Sequence, residues 1–313
     1  MRPILLFTAG GLALLAAPPV LAQPTDVGPV TVTRATTLPA DAVGATVVTE
    51  QDILLRQAAS PREVLNTIPG LSVERTGAFG GLLTVRQRGA STDKTLVLLN
   101  GVPLNDPSQP SGSTDVNLID MADVTRIEVL SGPQGSLWGS SAIGGVIAFT
   151  ARPLDGWRAA LEGGAFGYAR GAASIGVVTD RFQAGLSAAG WRADGISQAD
   201  ERDGNPEADG AWSYTVGGQG RFAVTPNLGV FGQLRYLQTR ADTDGYPPPN
   251  FTFADTAEWA ENRTWFGQAG LDANTLGFGH RLTYGYYDVD RANLGGDFPS
   301  LSLIHISEPT RPY

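Results

Sequence analysis

Residues 132–150 read GPQGSLWGSSAIGGVIAFT, and this stretch decides the fold. Glycines at 132, 135, 139, 144 and 145 allow tight turns where side chains would obstruct close backbone approach. The apolar run at 145–149 (GVIAF) is then predicted to be a strand covered on both faces. Alone, a Gly-rich segment reports only turn chemistry, so the weight falls on what precedes it.

Upstream lie VTRIEVL at 124–130 and TLVLLNGVPLN at 95–105. In this order the blocks closely resemble the plug domain of TonB-dependent outer-membrane receptors, the energised uptake gates of Gram-negative bacteria. The resemblance runs over residues 40–152 and implies an α+β plug domain followed by an antiparallel transmembrane β-barrel. Within the family, the plug and early barrel are most similar to the cobalamin receptor branch. Two positions depart from the family pattern: Asn100, where Asp is usual before Gly-Val, and Ser131, where a basic residue is frequent.

Composition agrees with a β-rich, turn-rich chain. The 313 residues include 40 glycines, only 17% charged residues and a net charge of -9. An acidic surface argues against nucleic-acid binding through phosphate neutralisation. There is no cysteine, which excludes disulfides and thiolate metal sites. Lys94 is the only lysine, a bias that reads as high-GC coding.

Arg2, the apolar stretch 4–17 and Val20-Leu-Ala22 form a signal peptide over residues 1–22, with cleavage expected before Gln23. Pro18 and Pro19 interrupt the stretch short of the roughly 20 apolar residues that a spanning helix needs. An exported membrane protein of this kind has to cross with strands. Residues 23–39 read as an extended leader. Within it Val30, Thr31, Val32 and Thr33 alternate apolar and polar, as a pairing strand or a plain linker would. The resemblance implies that they form a TonB box, which adds a strand to periplasmic TonB, itself driven by an inner-membrane energising complex.

In the plug, strands are expected at 45–49, 71–74, 82–86, 95–99 and 127–130. A helix is expected after Thr49, with Asp52 completing an imperfect capping box, and another at 61–68, stopped by Pro69-Gly70. After Pro153 the texture changes to alternating segments with short turns. Trp212, Tyr214, Val216, Phe222 and Val224 fall on one face, and so do Leu228, Val230, Leu234 and Tyr236 of the next segment. Ser213, Thr215, Gln219, Arg221, Gln233 and Arg235 fall on the other, so a lipid-facing wall with a small, polar interior is expected.

Tight turns at 179–180, 225–227 and 274–275 belong to the periplasmic side, and long polar connections at 193–211 and 240–263 to the exterior. About seven strands are expected over 157–288, whereas barrels of such transporters have about twenty-two. The barrel part, 153–300, is thus expected to be truncated, a fragment with an open edge that lipid does not tolerate. Residues 301–313 break the strand rhythm and resemble a translated sequencing adapter, which removes His305 from functional consideration.

Candidate sites follow. Thr76, Gly77, Ala78, Phe79 and Gly80 lie in one expected ligand-facing loop, with Asn105, Asp106, Ser108, Gln109, Ser111 and Ser113 in the other. The resemblance implies that Arg86, Arg88, Arg126 and Glu128 lock plug to barrel. The loop 193–210 holds Asp194, Asp200, Glu201, Asp203, Glu207 and Asp209, as a solvated loop or a calcium site would. Calcium is implied by the cobalamin branch at Glu207 and Asp209, with Asp242 and Asp244 standing in for a missing partner after Tyr236. The expected ligand is cobalamin or another corrinoid, with a ferric siderophore, or signalling or phage adsorption without uptake, as alternatives; no cofactor is required. Enzyme motifs fail: Asp93 occupies the Gly of a phosphate loop at 89–95, no Gly-x-Ser-x-Gly occurs, and there are two histidines.

Overall fold

A computed structural model describes residues 45–56, 58, 60–77, 79–106, 112–275, 278–296 and 300–310. The signal peptide, the leader with Val30–Thr33, and residues 78, 108, 109 and 111 lie outside the described residues.

The plug begins with β1 (Ala45–Thr49) and α1 (Glu50–Leu55). Its capping box is complete: the Thr49 hydroxyl accepts from the Asp52 N–H, and the Asp52 carboxylate accepts from the Thr49 N–H at 2.9 Å. Helix α2 (Pro61–Leu65) is shorter than the sequence suggests, because residues 66–70 form turns ending at Gly70, φ 82°. A hairpin follows, β2 (Leu71–Thr76) and β3 (Leu82–Gln87). Then come β4 (Thr95–Leu99), β5 (Val102–Pro103), β6 (Val124–Ser131), the short α3 (Gly135–Trp138) and β7 (Gly145–Ala151).

Strands β1, β6, β7, β4 and β5 make one sheet in that order, with β4 and β7 parallel. Residues 145–149 are buried throughout, as the unbroken apolar run demands. Gly145 has no room for a side chain, since a Cβ would lie 2.3 Å from both the Gln87 Oε1 and the Leu130 carbonyl. The core packs α1 and α2 against this sheet through Ile53, Val64, Leu65, Ile127, Ile147 and Phe149.

An antiparallel sheet follows: β8 (Gly156–Gly163), β9 (Ala169–Val178), β10 (Phe182–Ile196), β11 (Asp209–Thr225), β12 (Leu228–Gly245), β13 (Ala254–Thr275), β14 (Phe278–Leu294) and β15 (Ser300–Thr310). The seven strands expected are β8–β14. Residues 300–310 are also extended and pair with β14. The described sheet is open, with β8 and β15 at its edges. No described helix is long and apolar enough to cross a membrane.

Strands β10–β14 run 15 to 22 residues, well beyond the roughly 9–11 that cross a bilayer. The connections expected at 193–211 and 240–263 therefore shrink to 197–208 and 246–253, the flanking residues extending the strands. Trp157, Leu161, Val216, Phe222 and Leu234 are exposed on the outer face. Trp212, Tyr214, Tyr236 and Trp265 form a continuous aromatic row there, with successive ring centroids 5.7, 5.9 and 4.6 Å apart.

The inner face corrects one expectation. On β8–β11 it is mostly small and polar, with Trp191 against Phe79 as an exception, but Phe266, Tyr287 and Val289 on β13 and β14 point inward and join the plug's apolar core. Burial of such a side chain stabilises by about 1.5–3 kcal/mol, so these strands help to hold the plug.

Candidate functional site

The plug meets the sheet at two levels. At the lower one, Gln219, Gln233 and Gln268 stand side by side on the inner faces of β11, β12 and β13. Gln233 and Gln268 donate to the Asn100 carbonyl at 3.3 and 2.9 Å, and Gln219 donates to the Arg152 carbonyl at 3.5 Å. Asn100 answers through its side chain, whose Nδ2 donates to the Gln233 Oε1 at 3.3 Å while its Oδ1 accepts from the Ala151 N–H at 2.8 Å. The contact is made because Asn100 and Gly101 turn β4 into β5 with φ of 49° and 81°. Asn tolerates that left-handed region better than most residues do.

At the upper level the β2–β3 tip reaches the outer ends of the strands. Thr76, Gly77 and Phe79 are exposed there. Phe79 sits edge-on to Trp191 (5.1 Å) and Tyr168 (5.8 Å), with the Arg75 guanidinium 5.2 Å from its ring. Gly80 faces the wall so closely that a Cβ would lie 2.5 Å from that of Ala211. The first expected ligand loop is thus an aromatic and glycine tip braced on β10–β12, presenting Thr76, Gly77 and Phe79 to the open side.

The second loop is placed differently. Asn105 is a bracket: it accepts from the Val97 N–H and donates to the carbonyls of Thr95 and Gly112, each at 3.2 Å. Asp106 is buried and accepts from Arg291 on β14 at 2.9 Å. Ser113 is buried and its carbonyl accepts from the Asp106 N–H. These three tie the loop to its own backbone and to β14. Beside them Asp115 accepts through one oxygen from the N–H groups of Leu83 (3.1 Å) and Asn117 (3.0 Å). Burial nevertheless pushes its pKa up to about 6, against those hydrogen bonds and the pull of Arg291.

Arg86, Arg126 and Glu128, expected to lock plug to barrel, make ion pairs within the plug. Arg86 bonds Glu74 across the β2–β3 hairpin at 3.2 Å, and Arg126 bonds Glu128 along β6 at 2.7 Å. The Arg88 N–H closes a turn onto the Gly70 carbonyl at 2.7 Å. Ionic contact with the described strands falls elsewhere, on Asp106–Arg291 and on Asp120–Arg170. Arg170, on the inner face of β9, is buried and also bonds Glu162 at 3.0 Å. Removing one partner of such a pair costs about 3–5 kcal/mol. The signal available in the sequence was a lone Arg within the small-residue run ARGAAS.

No group of three or more candidate metal ligands occurs among the described residues. The carboxylates expected to hold calcium have these protein partners. Asp209 accepts from the Gln198 N–H (2.7 Å), and Asp244 accepts from the N–H groups of Ala199 (2.9 Å) and Thr256 (3.2 Å). Asp242 pairs with Arg240, and the Glu207 N–H donates to Asp255.

Comparison with known proteins agrees with this architecture. The family model for the TonB-dependent receptor plug domain matches residues 40–146. The vitamin B12 transporter BtuB of Vibrio vulnificus (strain YJ016) is 26% identical over 265 residues, covering 75% of this chain and 42% of the transporter. The siderophore receptor PirA from Acinetobacter baumannii superposes with a TM-score of 0.65 at 15% identity, over 84% of this chain and 44% of that one. The ferric yersiniabactin uptake receptor FyuA from Yersinia pestis gives 0.63 at 20% identity, over 82% and 42%. The chain thus spans less than half the length of these relatives. Residues 40–146 thus match the TonB-dependent receptor plug domain, and the antiparallel sheet that follows is similar in fold to the corresponding strands of solved TonB-dependent receptors.

Proposed function

We propose that this chain is the plug and first barrel strands of an outer-membrane receptor that takes up cobalamin or another corrinoid, energised by periplasmic TonB. The observation that carries the ligand class is the similarity to a vitamin B12 transporter through plug and strands alike, over 265 residues. The siderophore receptors that share the architecture do so at 15–20% identity, which speaks to fold and not to ligand.

In this reading the ligand is held where the β2–β3 tip meets β10–β12, with Phe79 and the neighbouring turn as the plug's contribution. A pull on the leader then has to break the amide and ionic ties between plug and wall. Labelled cobalamin uptake, measured with and without disruption of the gene in a strain that has no second corrinoid receptor, tests it. Loss of uptake on disruption supports the reading. Unchanged uptake removes the corrinoid assignment.

A further inference from the structure

The plug is seated asymmetrically. Against β12–β14 it has apolar contact through Phe266, Tyr287 and Val289, together with the ties of Asn100 and Asp106. Against β8–β11 the wall is made of small side chains such as Ala160, Ala172, Ser174, Ser187 and Ala189. Among the described residues no side chain of β8–β11 joins the plug's apolar clusters. A cavity of about 150 Å³ separates that wall from Asp120 and Asp123 of the plug. Apart from Phe79 and Gly80 at the mouth, against Trp191 and Ala211, and the Gln219 bond to the Arg152 carbonyl, what crosses on this side is charge. Arg170 bonds Asp120 and Glu162, while Arg158 and Arg235 lie within electrostatic reach of Asp123.

Resting on the uptake reading above, we propose that the Asp120–Arg170 pair is the catch that releases on opening, and that ligand passes along the β8–β11 wall while the β12–β14 contacts stay made. Parting apolar surfaces costs free energy in proportion to the area wetted, with nothing to offset it. Parting an ion pair beside a cavity of about 150 Å³, roomy enough for several waters, lets both charges take up water, so the penalty for leaving them unpaired falls. Small wall residues do not obstruct the space the plug vacates. The two sides of the plug therefore differ in how readily they separate, and the ionic side is the weaker.

The chain has no cysteine, so single thiols report locally. Ala172→Cys places one on the β9 wall and Thr264→Cys places a control on the inner face of β13. Each is treated in intact cells with a water-soluble maleimide. Arg170→Gln is expected to raise labelling at 172 severalfold without any ligand, leave 264 unchanged, and admit a bulky antibiotic that wild-type cells exclude. The exchanged pair Asp120→Arg with Arg170→Asp, made together with Glu162→Gln so that the new carboxylate meets no like charge, should return labelling and exclusion toward wild type, which a merely misfolded receptor would not do. Unchanged labelling at 172 in Arg170→Gln, or an equal rise at 264, overturns the proposal. Because neither readout uses cobalamin, a failure of cobalamin to bind these cells would remove the ligand assignment and leave the catch result standing.

Discussion

Asn100 and Gln233 hold each other by both halves of an amide: the Asn100 Nδ2 donates to the Gln233 Oε1, and the Gln233 Nε2 donates back to the Asn100 carbonyl, both at 3.3 Å. This explains a departure visible in the sequence. An Asp at 100 would still accept from the Ala151 N–H, but it has no donor for Gln233 and would set a carboxylate against a carbonyl oxygen. Rotating the Gln233 amide does not help, because its Nε2 is already engaged by the backbone.

Asn100→Asp is therefore expected to loosen the plug by about 1–3 kcal/mol, the cost of leaving buried polar groups unsatisfied. Gln233→Ala should weaken it similarly, and the double variant should lose less than the sum. Urea unfolding of the plug in detergent-solubilised receptor measures all three. Full additivity would show that the two amides act independently.

Asp115 supplies a pH dependence. Its pKa is raised from 3.8 to about 6, so the folded plug binds that proton more tightly than the unfolded chain does. The contribution favours the fold below pH 3.8 and is lost as pH rises toward 6. Asp115→Asn keeps the oxygen that accepts from Leu83 and Asn117 but carries no charge to desolvate. The variant should match wild type near pH 3.8 and exceed it above pH 6, by at most about 1–3 kcal/mol. A constant difference across that range would assign the effect to packing.

Gly80 and Gly77 separate two effects at the mouth. Both have positive φ, 90° and 84°, but a Cβ at Gly80 meets Ala211 at 2.5 Å while one at Gly77 stands 3.5 Å from the flexible Gln198 amide. Gly80→Val should push the β2–β3 tip off the wall and cut surface binding of labelled cobalamin strongly. Gly77→Ala should cost only the backbone strain, about 1 kcal/mol. Equal losses at the two positions would mean that strain, not the seat on Ala211, sets the binding geometry.

Much of this was legible because it is local. The capping box at Thr49, the Pro69-Gly70 stop and the buried run 145–149 each follow from the conformations that short residue patterns allow. What was missed depends on where a surface points. Period-two alternation on β11 and β12 shows that the two faces differ, with Ser213, Thr215, Gln219, Gln233 and Arg235 inward. The adjacent pairs Trp265-Phe266 and Tyr286-Tyr287 place an aromatic on each face of β13 and β14, the available sign that the inner wall turns apolar. Asn105 and Asp106 have the composition of a ligand loop, but composition does not tell whether a polar side chain faces a ligand or its own backbone. The pairing of Arg126 with Glu128 was similarly open, since alternate residues on one strand face reach each other as easily as a wall.

The leader is tested by Val32→Pro. Strand addition to TonB would rest on main-chain hydrogen bonds, and proline removes one donor and fixes φ near −65°. In the proposed reading the ligand is captured at Phe79 and the β10–β12 wall, and the leader takes no part in capture. The variant should therefore bind labelled cobalamin at the cell surface as wild type does and accumulate none inside. Val32→Ala keeps the donor and should transport, which separates the backbone requirement from a side-chain one. Normal energised uptake by Val32→Pro would place the TonB-contacting segment elsewhere in the leader, and loss of surface binding would show that residues 30–33 also support the mouth.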